Sequence, residues 1–238
     1  MTMSSSEFEK NNYPKASKYL YYGALLTYIA GMFLMIAFCS PYWVKSYEET
    51  FSSFKNMGLW EYCFSNFRYP SYQFDHPFDG CHHVFSKEYF VIREWLLPSW
   101  LMAVQAFVTM SFLLSFGTQI VMAMQLCRWP LEFVLRYEWI LSAVDFVCVT
   151  VTTLFMFLAI AVFGGSHARR DWLMYPNFNY LCWSYGFACL SFFFHGFAAL
   201  CLYKEARLSY DRRRESKNLI MQMQPNPQHR LGWNVSNY

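Results

Sequence analysis

Charged residues are scarce in this chain of 238 residues: they make up 15% of it, against roughly 25% in soluble globular domains. Apolar residues account for 55% and aromatic residues for 22%. A water-soluble domain of this length could not bury that much apolar surface. The formal net charge is only +3, and the basic residues form no stripe interleaved with aromatic ones. We therefore expect no nucleic-acid partner.

Sequence motifs of catalysis are also missing. There is no glycine-rich nucleotide loop, no His-Glu-x-x-His, no Cys-x-x-Cys and no Gly-x-Ser-x-Gly. We expect no enzyme activity, no cofactor and no small-molecule substrate. We also expect no cleavable signal peptide, because no short apolar core with an Ala-x-Ala-like site precedes the first long apolar run. That run is expected to act as a signal anchor.

What the sequence does contain is four long apolar runs, at 20–39, 99–126, 139–163 and 180–203. Each is long enough to cross a hydrocarbon core about 30 Å thick as a helix. They predict an all-α membrane bundle, a left-handed tetraspan of one domain over 1–238. The connecting segments are a tail at 1–19, loops at 40–98, 127–138 and 164–179, and a tail at 204–238.

The basic residues near the ends of the runs predict the orientation. Twelve lie in the two tails and the middle loop, and seven lie in the other two loops. Lys and Arg accumulate on the cytoplasmic side of membrane proteins. Both termini are therefore expected in the cytoplasm, with 40–98 and 164–179 outside.

The loop at 40–98 contains short aromatic and β-branched runs broken by Pro70, Pro77 and Gly80, which predicts a small β-sheet with turns. Cys63 and Cys81 lie well inside this loop, in an environment expected to be oxidising, so they are expected to form a disulfide. Closing 18 residues would stabilise the loop by about 3 kcal/mol on the chain-entropy model.

A possible metal-binding group lies in the stretch "DHPFDGCHH", which ends at His83. Its Asp, Cys and His side chains are common zinc ligands. However, Cys81 is expected in the disulfide, and the adjacent His82 and His83 would point to opposite faces of a strand. We expect no metal site.

Trp43, followed by Gly58-Leu59-Trp60 and then by Cys63 and Cys81, all between the first two of four spans, resembles the signature of the claudin, peripheral myelin protein and epithelial membrane protein superfamily. The stretches "LLPSWLMAVQAF" and "WLMYPNFNYLCWSYGFA" resemble the family's entries into the second and fourth spans. The resemblance implies that Trp43 and Gly58-Leu59-Trp60 anchor an extracellular sheet against the outer face of the membrane. The alternative is that both tryptophans are ordinary members of the aromatic belt at the membrane surface.

Three differences from vertebrate claudins favour the invertebrate branch, the claudin-like tetraspans of septate junctions, most like the pasiflora type. The two cysteines are farther apart, the amino-terminal tail is longer, and Gln105 occupies the position of an arginine. The implied function is structural: the protein would associate laterally, with itself or with other junctional membrane proteins, and across cell contacts to form a paracellular barrier. Alternatives are an auxiliary, gamma-like subunit of a channel or receptor, and a membrane enzyme or transporter.

Gln119, Asp145 and His195 are polar residues within three of the apolar runs, whereas Gln105 lies too far outward to join them. Gln119, Asp145 and His195 all fall in the cytoplasmic leaflet of the predicted topology, so we expect them to meet as one cluster. Hydrogen bonding between packed helices, worth about 1 kcal/mol, is the favoured interpretation. A proton or ion path is the alternative.

Gly23, Thr27 and Gly31 recur every four residues and place small side chains on one face of the first helix. Such a face permits close helix packing, either inside the bundle or between protomers. The spacing leaves both readings open.

The predicted cytoplasmic side carries three candidate features. Cys127 and Cys201 are possible palmitoylation sites, or idle thiols. Ser236 and the terminal Tyr238 partly fit a ligand for a cytoplasmic PDZ scaffold. The sequon at Asn234 would face the cytoplasm and remain unglycosylated.

Overall fold

Four long helices form the frame of the computed structural model, which describes residues 16–69 and 77–223. They are α1 (Lys18–Cys39), α2 (Ser99–Cys127), α3 (Leu131–Ser166) and α4 (Trp183–Met223). Within the described residues, these four are long and apolar enough to cross a membrane. The prediction of a helical tetraspan is confirmed.

The ends of the helices follow from local chemistry. The side chain of Ser17 accepts a hydrogen bond from the backbone N–H of Tyr19, which caps the start of α1. Pro98 and Pro130 immediately precede α2 and α3, where a missing N–H costs nothing. Arg128 adopts a left-handed conformation that ends α2.

Two helices extend beyond the predicted apolar runs. The helix α3 begins at Leu131, within the segment expected to be a loop, and α4 continues to Met223, within the segment expected to be a tail. Hydropathy marks where a helix enters lipid, whereas the Lys, Glu, Ala, Arg and Leu residues that follow residue 203 are all good helix formers. The helical conformation therefore continues past the apolar sequence.

A five-stranded antiparallel sheet covers one end of the bundle, which we call the outer end. Its strands lie in the order β4-β3-β2-β1-β5. Their bounds are β1 Val44–Ser46, β2 Phe54–Met57, β3 Glu61–Phe67, β4 Phe78–His83 and β5 Asn179–Leu181. The predicted sheet in 40–98 is confirmed, but β5 lies in a segment that we expected to start the fourth helix. Its pairing with β1 joins residues more than 130 positions apart, which no local pattern reveals.

The strand directions define a far edge of the sheet. Because β1 starts just after α1 and pairs antiparallel with β5, which leads into α4, the end of β1 at Ser46 and the start of β5 at Asn179 lie away from the helices. The turn at 58–60 lies close to the end of α1. The segments 47–53 and 175–178 therefore form the far edge, together with the end of β3.

The small residues of α1 pack inside the bundle. A Cβ added at Gly23 would lie 2.8 Å from Leu202 Cδ2 of α4, and one at Gly31 would collide with the Gln119 side chain of α2. Thr27 is fully buried. Of the two readings left open by the sequence, packing within one chain accounts for this face.

Candidate functional site

Trp43 attaches the sheet to three helices. Its ring is fully buried and packs edge-on against Phe163 of α3, with the ring centroids 4.8 Å apart. The indole Nε1 donates a hydrogen bond to the Ala37 carbonyl of α1 at 2.7 Å. The backbone N–H of Trp43 donates to Met57 and its carbonyl accepts from Cys182, just before α4. A ring enclosed by protein on all sides is not in the aromatic belt, so that alternative is wrong for Trp43.

Gly58 allows the sheet to approach the end of α1. Its N–H donates to the Glu61 carbonyl at 2.8 Å, which closes the turn between β2 and β3. A Cβ at this position would lie only 2.7 Å from the Cα of Pro41, so no larger residue fits without moving the backbone. The glycine is therefore required by this contact between two backbone segments.

Leu59 and Gln105 connect the same turn to α2. Leu59 is fully buried, and its carbonyl accepts a hydrogen bond from Gln105 Nε2 at 2.6 Å. The side chain of Gln105 is itself buried, so this bond satisfies a carbonyl that water cannot reach. The sequence marked Gln105 only as a departure from the family pattern, and its partner on the Gly58-Leu59-Trp60 turn was missed.

Trp60 is the least enclosed residue of this motif. It is partly buried, with its ring 5.3 Å from Phe38 of α1 and nearly parallel to the His83 ring at 6.4 Å. The Trp60 carbonyl accepts a hydrogen bond from Val84. Trp60 thus packs between α1 and the end of β4.

The predicted disulfide is present. Cys63 on β3 lies directly opposite Cys81 on β4, and the two sulfurs are bonded. In residues 16–69 and 77–223, the potential metal ligands that come together are Glu61 and these two cysteines. Since both thiols are in the disulfide, one carboxylate remains, which is too few ligands for a metal site. Asp75 and His76 lie outside the described residues.

Buried tyrosines hold the underside of the sheet. Tyr62 donates its phenolic hydrogen to the Leu96 carbonyl at 2.7 Å, and Tyr89 donates to the Tyr62 carbonyl at 2.9 Å. Trp172 donates to the same Leu96 carbonyl at 3.3 Å. Burial raises the pKa of both tyrosines, so both remain protonated donors. Sequence analysis missed these contacts, because they join three separate segments.

The polar residues of the helices form two groups instead of the single expected cluster. Gln119 and His195 both hydrogen-bond to Ser115 Oγ, at 3.2 and 2.9 Å. Asp145 is fully buried and instead accepts a hydrogen bond from Gln125, which lies about 1.7 turns farther along α2 than Gln119. Each group includes residues of two helices, α2 with α4 in the first and α2 with α3 in the second.

An ion-pair network lies at the inner end, opposite the sheet. Glu205 of α4 is buried, and its Oε1 lies 2.8 Å from Arg212 Nη2. Arg212 also lies 3.5 Å from Glu138 of α3, which in turn lies 3.7 Å from Arg128. Sequence analysis did not predict a buried carboxylate at position 205, because Glu205 follows the last apolar run in a segment expected to be a tail.

The remaining candidates are less informative. Cys127 is exposed at the end of α2, and Cys201 is partly buried in α4. Palmitoylation of Cys127 and Cys201 stays a prediction. Ser236, Tyr238 and the sequon at Asn234 lie outside the described residues.

The far edge carries exposed aromatic side chains that sequence analysis did not single out. Phe51 is 92% exposed and Tyr175 is 62% exposed. Both have a left-handed backbone, with φ of 48° and 50°, which is uncommon for residues other than glycine. Strained, exposed aromatic residues on two adjacent segments indicate a contact surface.

The geometry of a tetraspan with a disulfide-bonded outer sheet agrees with a family comparison. A family model described as PMP-22/EMP/MP20/Claudin tight junction matches residues 28–203. The chain belongs to this family. The match includes the whole outer sheet, all of α2 and α3, and about half of α1 and of α4. A comparison with curated proteins finds no match.

Membership of the PMP-22/EMP/MP20/claudin family confirms the resemblance at superfamily level and makes the chain a multi-pass membrane protein of a structural, junction-associated family. The pasiflora type, the orientation of the termini and the septate junction stay predictions.

Proposed function

We propose that this protein is a claudin-like structural component of an occluding cell–cell junction, of the septate type. Both termini lie in the cytoplasm, and the outer sheet faces the neighbouring cell. Protomers associate side by side in the plasma membrane at lateral contacts and meet protomers of the opposite cell. Together they restrict the flow of solutes between cells.

The attachment of the sheet to the helices is the observation that carries this proposal. Trp43 contacts α1, α3 and the start of α4, and Gln105 ties the Leu59 turn to α2. The sheet is therefore fixed to all four helices and cannot swing as a tether would. A fixed sheet with exposed aromatic residues at its far edge suits a protein that must hold a regular contact across a narrow gap.

Localisation and leakage test the function together. The full-length protein, with an epitope in an outer segment, is expressed in a polarised epithelium that is depleted of the endogenous protein. Enrichment at lateral contacts, and a paracellular tracer leak that the tagged protein reverses, are the expected results. Electron microscopy then distinguishes the junctions: labelling over the septa supports the septate type, whereas labelling restricted to membrane fusion points supports the tight junction.

A uniform distribution with an intact barrier after depletion would refute the barrier function. In that case, co-purification of one stoichiometric channel or receptor would favour the auxiliary-subunit alternative.

The orientation has a separate test. Glu48→Asn completes a glycosylation sequon with Thr50 in the far-edge segment, where the Glu48 side chain is 84% exposed. Loss of its exposed ion pair with Lys45 should cost little. We expect this variant to gain one glycosidase-sensitive glycan, while the natural sequon at Asn234 stays unmodified. A glycan at Asn234 would reverse the proposed orientation.

A further inference from the structure

A cavity of about 460 Å³ opens at the outer end, within the usual size range of ligand pockets. We call it the cup and define it by six of its lining residues. They are Phe67, Arg68, Trp95, Arg170, Trp172 and Tyr175.

The cup combines an aromatic floor with the side chains of two arginines. Phe67 and Trp172 are each only 2% exposed, so the floor is firmly packed. Asp171 also lines the cavity, but its carboxylate is held by Arg169 at 3.1 Å. Among the described residues, Arg68 and Arg170 have no ion-pair partner. A complementary group would therefore present an apolar ring and a carboxylate.

The same chain presents such a group on the segment 47–53, which we call the tip. Phe51 projects from it with 92% of its surface exposed. Glu48 is paired with Lys45 at 2.8 Å, whereas Glu49 has no ion-pair partner among the described residues. The free carboxylate thus lies two positions before the exposed ring.

The tip and the rim of the cup both lie at the far edge. The tip connects the outer ends of β1 and β2, and Arg68 follows the outer end of β3. Tyr175 borders the cup and also lines a second cavity beside Phe51, so the two features are neighbours on one surface. Because Phe51 is almost fully exposed, it does not occupy the cup of its own chain.

We propose that the tip of one protomer enters the cup of a second copy in the apposed membrane, with Phe51 on the aromatic floor and Glu49 facing Arg68 and Arg170. The proposal rests on the proposed function and names its cell-to-cell contact. Two copies related by a two-fold axis would each supply one tip and one cup, so the contact is reciprocal and closed. Charge complementarity between Glu49 and the two arginines would determine how the two copies are positioned relative to each other.

Charge reversal in separate cell populations tests this pairing. One population of non-adherent cells expresses the full-length Glu49→Arg variant, and another expresses the Arg68→Glu, Arg170→Glu double variant. Each population alone opposes like charges at both contacts and should lose homotypic aggregation. In a mixture, the reversed tip meets the reversed cup, and the natural tip meets the natural cup. Mixed aggregates should therefore recover to the level of the natural protein.

A separate variant tests the contact between Phe51 and the aromatic floor of the cup. Phe51→Gly removes the ring, while glycine adopts the left-handed backbone without steric cost. We expect an affinity loss of about 30-fold, the size typical of truncating a central interface residue. Phe90→Ala is the matched control, because Phe90 is 69% exposed but lies outside the tip and the cup. Surface labelling normalises all variants to equal amounts at the plasma membrane.

Four results would overturn the proposal. The first is aggregation of either reversed population at the natural level. The second is failure of the mixture to recover, and the third is recovery only when both variants are expressed in the same cell, which indicates a lateral contact. If cells with the natural protein do not aggregate while the epithelial barrier still depends on it, the tip-and-cup contact is refuted and the barrier function stands.

Discussion

The outer and inner ends of this molecule are held together by different forces. At the outer end, a disulfide and a continuous core of aromatic and aliphatic side chains join the sheet to the helices. At the inner end, the apolar cluster is small, and polar groups link the helices, including Asp145 of α3 with Gln125 of α2 and Glu138 of α3 with Arg212 of α4. Close packing and a disulfide therefore hold the outer end together. Ion pairs and hydrogen bonds hold much of the inner end together.

This difference suits a protein that must keep its outer surface rigid. Apolar packing and a covalent bond tolerate little displacement, because close-packed side chains leave few alternative arrangements. A network whose members are partly exposed, such as Arg212, can exchange its partners with water. Mutations should therefore unfold the outer end more severely than the inner end.

The largest effect is expected from Trp43→Ala. The substitution leaves a cavity among Phe163, Tyr185 and the end of α1 and should destabilise the protein by about 3–5 kcal/mol. We expect retention inside the cell and rapid proteolysis of the outer sheet in detergent. Trp183→Ala is the control, because Trp183 is half exposed. If the Trp43 variant resisted protease as well as the natural protein, the packing of Trp43 would not be what stabilises the outer sheet.

The second prediction concerns the disulfide. Cys63→Ala should destabilise the sheet by about 3 kcal/mol, since the bond closes a separation of 18 residues. The double variant with Cys81→Ala should be no worse, because both substitutions remove one interaction. Surface delivery of the variants measures this effect. Normal delivery of the single variant, or a double variant twice as impaired, would contradict the prediction.

At the inner end, Arg212→Ala should have an intermediate effect of about 2 kcal/mol, because it leaves the buried Glu205 carboxylate without its cation. Glu205→Gln should cost less, since the half-exposed Arg212 can be hydrated. Hydrogen exchange should report faster opening near residues 205–212 only, with the sheet unchanged. Faster exchange in β1 or β3 would show that the two ends are not independent.

The smallest effect is expected from Gln105→Met, at about 1 kcal/mol. The methionine fills the space but leaves the Leu59 carbonyl without its donor. Gln105→Arg retains a donor at this position and should preserve more of the thermal stability in detergent. Equal melting temperatures for the natural protein and Gln105→Met would show that this hydrogen bond contributes nothing to the attachment.

The sequence predicted those features that depend on local composition. Four apolar runs are sufficient to predict four helices, since a hydrocarbon core requires about 20 apolar residues in each. The disulfide followed because Cys63 and Cys81 are the two cysteines well inside one outer loop. The division of the polar residues was not predictable, because whether Asp145 contacts Gln119 or Gln125 depends on how two helices are aligned along their axes.

Contacts between distant segments were decided only by the tertiary structure. The pairing of β5 with β1, the hydrogen bond from Gln105 to Leu59 and the burial of Glu205 each depend on the relative positions of elements far apart in the chain. Trp43 illustrates both the sequence prediction and the contribution of the tertiary structure. Its place before Gly58-Leu59-Trp60 marked it as an anchor, whereas its enclosure by three helices follows from close packing, which a sequence pattern does not specify.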